Sequence, residues 1–101
     1  MFPKTDNEKR LNREYGKTRL LDHMDRQQIP VPTVDFENEG LHGFVMLFDT
    51  QPAVFKAMLH SIPAMGFACQ TRRVQRQADV WHYEVQVLVP EDWEPTPLVD
   101  D

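Results

Sequence analysis

Cysteine and glycine are scarce in this chain of 101 residues, and no long apolar run is present. Cys69 is the only cysteine, so one chain can form neither an internal disulfide nor a cysteine-based metal cluster. The four glycines are spread out, which excludes a glycine-rich phosphate loop. No apolar run approaches the ~20 residues that span a bilayer, and the first residues form no signal-peptide core. We therefore expect a cytoplasmic protein that makes no use of a membrane.

Basic side chains are also in deficit. Eleven Lys and Arg stand against sixteen Asp and Glu, a net charge of −5. The imbalance is concentrated at the end of the chain, where residues 90–101 contain five acidic side chains and no basic one. A negative surface repels phosphate, so direct nucleic-acid binding is not expected outside a local basic patch.

The length fits one domain, and the sequence patterns divide the chain into an N-terminal segment, a domain and a tail. Residues 1–16 are a charged N-terminal segment, partly helical or frayed near Gly16, and residues 17–28 have a helical apolar stripe. A buried strand is predicted at 44–48, a helix that begins near 51 and is ended by Pro63 and Gly66, and a strand from 67 to 76. The apolar stripe of that helix runs over 54–62. The segment 80–89 alternates as a strand that is buried on one face. The single domain then covers 17–90, and residues 91–101 form an acidic tail.

The resulting βαββ order is typical of an α+β domain with a ferredoxin-like core. We predict an antiparallel sheet with helices on one face, preceded by the N-terminal helix. Trp81, Tyr83, Val85 and Val87 share the face that should meet those helices.

Catalytic and metal-binding patterns are missing from the sequence. None of the four histidines forms a pair with another His, Cys or carboxylate in a known ligand motif, and Cys69 lies in an apolar strand pattern. No nucleophile with a neighbouring base can be recognised. We therefore predict a protein without enzymatic activity, metal or cofactor.

Two groups of residues are candidates for binding a partner. The first is the tail group Glu91, Asp92, Trp93 and Glu94, in which an indole among carboxylates suits docking to a basic, grooved protein. Alternatively, Trp93 folds back onto the domain. The second group is Arg72, Arg73 and Arg76, which could meet RNA phosphate. The simpler interpretation is that Arg72 pairs with Glu84 across the hairpin.

Short motifs between residues 18 and 90 resemble the RraB family, the regulators of ribonuclease activity B. They are Leu20-Leu21-x-x-Met24, Gly66-Phe67, and a strand with Trp81 that closes at Val89-Pro90. The resemblance implies a ferredoxin-like fold and a regulator that inhibits an RNase E-type ribonuclease. Family members continue into a second helix and a final strand, and nothing comparable follows Pro90 here. Half of the usual sheet should therefore be absent, and the uncovered edges favour a homodimer.

Taken together, these features predict a non-enzymatic regulator that binds and inhibits another protein, with a ribonuclease as the partner that the resemblance implies. Two alternatives remain open. One is a phage- or plasmid-encoded inhibitor of another host nucleic-acid enzyme, and the other is a small RNA-binding module.

Overall fold

A computed structural model describes residues 4–94 and has two helices and four strands in this range. In chain order they are α1 (Asp6–Arg26), β1 (Val34–Glu39), β2 (Gly43–Asp49), α2 (Pro52–Ala64), β3 (Ala68–Gln77) and β4 (Val80–Leu88). The predicted α+β class and the helix–strand order of 44–89 are confirmed. The tail residues 95–101 lie outside the described residues.

Helix α1 is continuous through Gly16, where the sequence predicted fraying. Its first turn is held by a capping box in which Thr5 and Glu8 satisfy each other's backbone N–H groups. Gly16 is buried, and a Cβ there would lie 2.9 Å from Val89 Cγ2 and 3.3 Å from Phe67 Cζ. This glycine therefore serves close packing of the helix on the core rather than a break in the helix.

The four strands form one antiparallel sheet in the order β1-β2-β4-β3. Within it, β2, α2, β3 and β4 are the predicted βαββ unit, with β4 between β2 and β3 as in a ferredoxin-like sheet. In the usual order, a second helix and a fourth strand follow this unit. Here α1 and β1 take their places, but they precede the unit in the chain. The chain is thus a circular permutation of the ferredoxin-like order, and the prediction that half of the sheet is absent is wrong.

One face of the sheet carries the core. The buried apolar residues that form a single cluster come from both helices, β2, β4 and the segments next to the strands: Leu20, Met24, Phe44, Met46, Phe48, Met58, Ile62, Phe67, Tyr83, Val85, Val87 and Val89. Each fully buried aliphatic or aromatic side chain contributes about 1.5–3 kcal/mol. Because α1 and α2 together cover the apolar face, only the open strand edges still favour the homodimer, which stays a prediction.

Arg13 connects α1 to the turn between β1 and β2. Its side chain is buried, and Nη1 donates to the carbonyl oxygen of Gly40 at 2.9 Å while Nε meets Glu14 at 2.9 Å. Gly40 has a φ of +67°, a conformation that an L-residue rarely adopts. A buried guanidinium is stable here because both of these donors have partners. The contact fixes the position of β1 under the helix.

Candidate functional site

The face of the sheet opposite the helices is the candidate site. Because side chains alternate along a strand, the residues between the core positions of β2 and β4 must point away from the helices. On β2 these are Val45, Leu47 and Asp49, and on β4 they are His82, Glu84 and Gln86. This open face is therefore built on the two central, most firmly paired strands.

Carboxylates dominate the open face. They are contributed by β1, β2 and β4: Asp35, Glu37, Glu39, Asp49 and Glu84. Arg72 and Arg73 of β3 are the guanidinium groups that oppose them on this side of the described sheet. The face thus carries an excess of negative charge, and its most acidic part is the edge formed by β1.

Strand β1 was missed in the sequence analysis, and with it the acidic character of this face. A signal was present: Val34, Asp35, Phe36 and Glu37 alternate apolar and acidic side chains, as a half-buried strand does. Phe36 packs on the core and meets Phe44 edge to face, with ring centroids 5.6 Å apart. The alternation covers only four residues and follows a segment with two prolines, so it is a weak signal for a strand.

An open groove of about 760 Å³ occupies one end of this face, and it is lined by both acidic and basic side chains. Its polar side chains include Asp35, Asp49, Arg73, Gln75, His82 and Glu84. His82 Nδ1 and Asp49 Oδ1 share a hydrogen bond of 2.5 Å across β4 and β2. Leu47 adds apolar surface to the floor of the groove. Such a groove can receive a side chain or an extended segment that carries positive charge.

At the other end of the face, Arg72 reaches across the sheet to Glu39. Its Nη2 donates to Glu39 Oε1, and Gln86 Nε2 donates to the same oxygen at 2.7 Å. Gly43 pairs with Glu39 on one side and with Leu88 on the other, and a Cβ there would lie 2.7 Å from the backbone oxygen of Glu39 and 2.9 Å from Leu88 Cδ2. The predicted pair of Arg72 with Glu84 is therefore wrong, because a bulge between Thr71 and Arg73 places Arg73 opposite Glu84 instead.

The bridge alters the protonation of both partners. The hydrogen bond from Arg72 is the main reason that the pKa of Glu39 is lowered, and the same bond raises the pKa of Arg72. Both groups are solvated, so the pair orients the side chains more than it stabilises the fold.

We expect the stability that Glu39 contributes to depend on pH. Its pKa is lowered on folding, so the contribution is complete above 4.5, the ordinary carboxyl value, and is lost as the pH falls through the folded value. Urea unfolding should show wild type more stable than Glu39→Gln near neutral pH, with the difference vanishing in acid. A difference that stays constant over this range would contradict the bridge.

The three candidate arginines do not converge on one patch. Arg72 is held by Glu39, and Arg73 lines the groove. Arg76 pairs in register with Trp81 on the helix side of the sheet, where its guanidinium lies 5.6 Å from the indole centroid and 3.9 Å from Asp79. The register also puts every aromatic residue of the described strands on the helix side. The open face thus lacks both a joint basic patch and a stacking surface.

Trp93 folds back onto the domain, which is one of the two interpretations raised above. Its half-buried indole meets Phe67 edge to face, with centroids 5.1 Å apart. Its carbonyl oxygen accepts hydrogen bonds from Lys4 Nζ at 2.7 Å and Asn12 Nδ2 at 2.9 Å. Glu91 pairs with Lys9 at 3.1 Å, whereas Asp92 and Glu94 are exposed. The segment after β4 therefore returns to the start of α1, the element that would follow it in the unpermuted fold.

Trp93→Ala should lower the free energy of unfolding by about 1–2 kcal/mol, because it removes a half-buried aromatic contact. Asp92→Ala is the matched control, since Asp92 is exposed, and it should change stability little. Chemical denaturation of the three proteins measures both effects. Equal stability of Trp93→Ala and wild type would show that the indole is not packed on Phe67.

Metal-binding and thiol chemistry find little support in residues 4–94. No group of three or more His, Cys, Asp or Glu residues in this range could hold a metal ion. Cys69 is half-buried, and desolvation raises the pKa of its thiol, which disfavours the reactive thiolate. Neither helix in the described range is long and apolar enough to cross a membrane.

No protein-family model matches the chain, and no curated protein matches it significantly. Among solved structures, a Cs H-NOX mutant with 4-cyano-L-phenylalanine and a mutant T. tengcongensis H-NOX each share 8% identity with it, at a TM-score of 0.46. Each alignment covers 79% of this chain and 60% of the H-NOX chain. An H-NOX structure concerned with heme distortion is aligned over 92% of this chain and 64% of its own, at 0.47. The chain thus spans under two thirds of these proteins, and likenesses at this level carry no argument about function.

Proposed function

We propose that this protein is a non-enzymatic regulator that binds a basic surface of another protein through its open, acidic sheet face. The observation that carries the proposal is the contrast between the two faces of one sheet. One face is covered by two helices, whereas the other is open, is rich in carboxylates and contains a groove at one end. A rigid sheet that presents spaced carboxylates steers a basic partner and fixes its orientation.

The arrangement of the carboxylates supports binding to an extended basic surface. Asp35, Glu37 and Glu39 lie at every second position of β1, so they follow one another along the open side of the same edge. Glu84 and Asp49 continue the negative charge toward the centre of the sheet. Because strand pairing fixes the backbone at these positions, little backbone conformational entropy is lost when a partner binds.

An RNase E-type ribonuclease is the target that we propose first. A surface that binds RNA must carry positive charge to match the phosphates, and an acidic sheet can occupy such a surface in place of RNA. Many proteins have such a positively charged, RNA-binding surface. Among them, the resemblance to the regulators of ribonuclease activity B implies an RNase E-type ribonuclease as the target. We place the interaction in the cytoplasm. Another nucleic-acid enzyme would offer the same kind of surface, and the experiment below separates the two.

The direct RNA-binding alternative receives no support from the arrangement of the arginines. Arg72 is neutralised by Glu39, and Arg76 lies on the opposite side of the sheet from Arg73. Weak, salt-sensitive RNA binding is the most that such a surface should give.

The test uses the purified catalytic region of an RNase E-type ribonuclease, with binding and RNA cleavage measured at several salt concentrations. Glu37→Lys on the open face should weaken both binding and inhibition by about tenfold, or about 1.4 kcal/mol. Asp25→Lys, an exposed position on α1, makes the same change in net charge and should leave both nearly unchanged. Wild-type binding should fall as salt rises.

Two results would contradict the proposal. Equal weakening by Glu37→Lys and Asp25→Lys would mean that only net charge matters and that the sheet face has no special role. If the chain bound other basic nucleic-acid enzymes but not this ribonuclease, the acidic face would still be a binding surface, but the ribonuclease would be rejected as its target.

A further inference from the structure

The second edge of the sheet has properties that the proposed function does not use. Strand β3 is outermost in the order β1-β2-β4-β3 and pairs with β4 alone. It is ten residues long, and every residue except Cys69 is exposed. The backbone N–H and C=O groups on its outer side can therefore accept another strand.

The two halves of β3 differ in how well they could pair with an added strand. The bulge between Thr71 and Arg73 interrupts the regular register, and the Arg72 side chain crosses the open face to Glu39. From Arg73 to Gln77 the pairing with β4 is regular, with Val74 opposite Tyr83 and Gln75 opposite His82. An irregular edge resists added strands, so docking is restricted to the regular segment 73–77.

The side chains of this segment indicate the chemistry of its occupant. Between Ala68 and Gln77 there are three arginines and no carboxylate. Arg73 points to the open face, whereas Val74 points to the helix side and is 50% exposed. A strand laid beside this segment would place alternate residues next to Arg73 and next to Val74. A carboxylate suits the position next to Arg73, and an apolar side chain suits the position next to Val74. Arg76 shares the helix side with Val74, but its guanidinium already lies over the Trp81 ring and near Asp79.

Charge also argues against the simplest self-association. A second copy of β3 laid on the same edge would bring its arginines toward those of the first, and like charges that face each other on neighbouring strands are destabilising. By contrast, β1 shows what an acidic strand in this sheet looks like, since Asp35, Glu37 and Glu39 alternate with Val34 and Phe36. The edge of β3 is basic where that of β1 is acidic.

We propose that the outer edge of β3, from Arg73 to Gln77, binds an extended segment of a partner protein with alternating acidic and apolar residues, as a fifth strand of the sheet. This surface adjoins the acidic face, because Arg73 also lines the groove, but it offers the outer backbone edge of β3 and selects the opposite charge. The two proposals can therefore fail independently.

The probe is a short synthetic peptide of alternating valine and glutamate, compared with one in which lysine replaces glutamate. Titration is followed by NMR on the full chain, with amide hydrogen exchange read residue by residue. The glutamate peptide should shift resonances of β3 and β4 and protect amides of segment 73–77. The lysine peptide should bind at least about tenfold more weakly, because it brings like charge to Arg73.

Arg73→Glu is the informative variant, and Arg10→Glu, an exposed position on α1, is its matched control. Arg73→Glu should weaken glutamate-peptide binding by about tenfold or more, a change of about 1.4 kcal/mol, whereas Arg10→Glu should not. The amide spectrum and thermal unfolding of each variant establish that it is folded.

Three outcomes would overturn the proposal. The first is equal binding of the two peptides. The second is contact confined to the groove or to the helices, with no added protection in segment 73–77. The third is protection of that segment in the protein alone at high concentration, accompanied by an increase in mass, which would identify a second copy as the occupant.

Discussion

The pairing of β2 with β4 at the centre of the sheet is the constraint on which the rest of the structure depends. Phe44, Met46 and Phe48 stand opposite Val87, Val85 and Tyr83, and all six side chains are buried on the helix side. Because the side-chain period is two, this register also fixes which residues face away from the helices. A slip by one residue would exchange the core with the charged face, so the same apolar packing that stabilises the sheet also positions the candidate site.

The helices and the chain ends complete this arrangement. Leu20 and Met24 of α1 are fully buried against the sheet, and the segment after β4 returns to the beginning of α1. Trp93 closes this contact over Phe67, next to the position where Gly16 allows the helix to approach. The covered face therefore depends on residues from both ends of the described chain, and the acidic face remains available to a partner.

Much of the core could be predicted from the sequence because its patterns are long and local. The alternation of 80–89 and the apolar run 44–48 gave two strands, and the stripe of 54–62 gave α2. The short strand β1 offered only brief alternation, and its place in the sheet depends on pairing with a distant segment. The Arg72–Glu39 bridge could not be predicted either, because it joins residues brought together by the bulge and the permuted order.

We propose that the two faces of one sheet have different roles: the face covered by the helices stabilises the fold, and the open face binds a protein partner. Hydrogen exchange of this chain, alone and with the catalytic region of an RNase E-type ribonuclease, tests it most directly. The account predicts added protection in segments 34–49 and 80–88, which carry the acidic face, and little change in α2. Protection confined to α1 and α2, with the sheet unchanged, would contradict it.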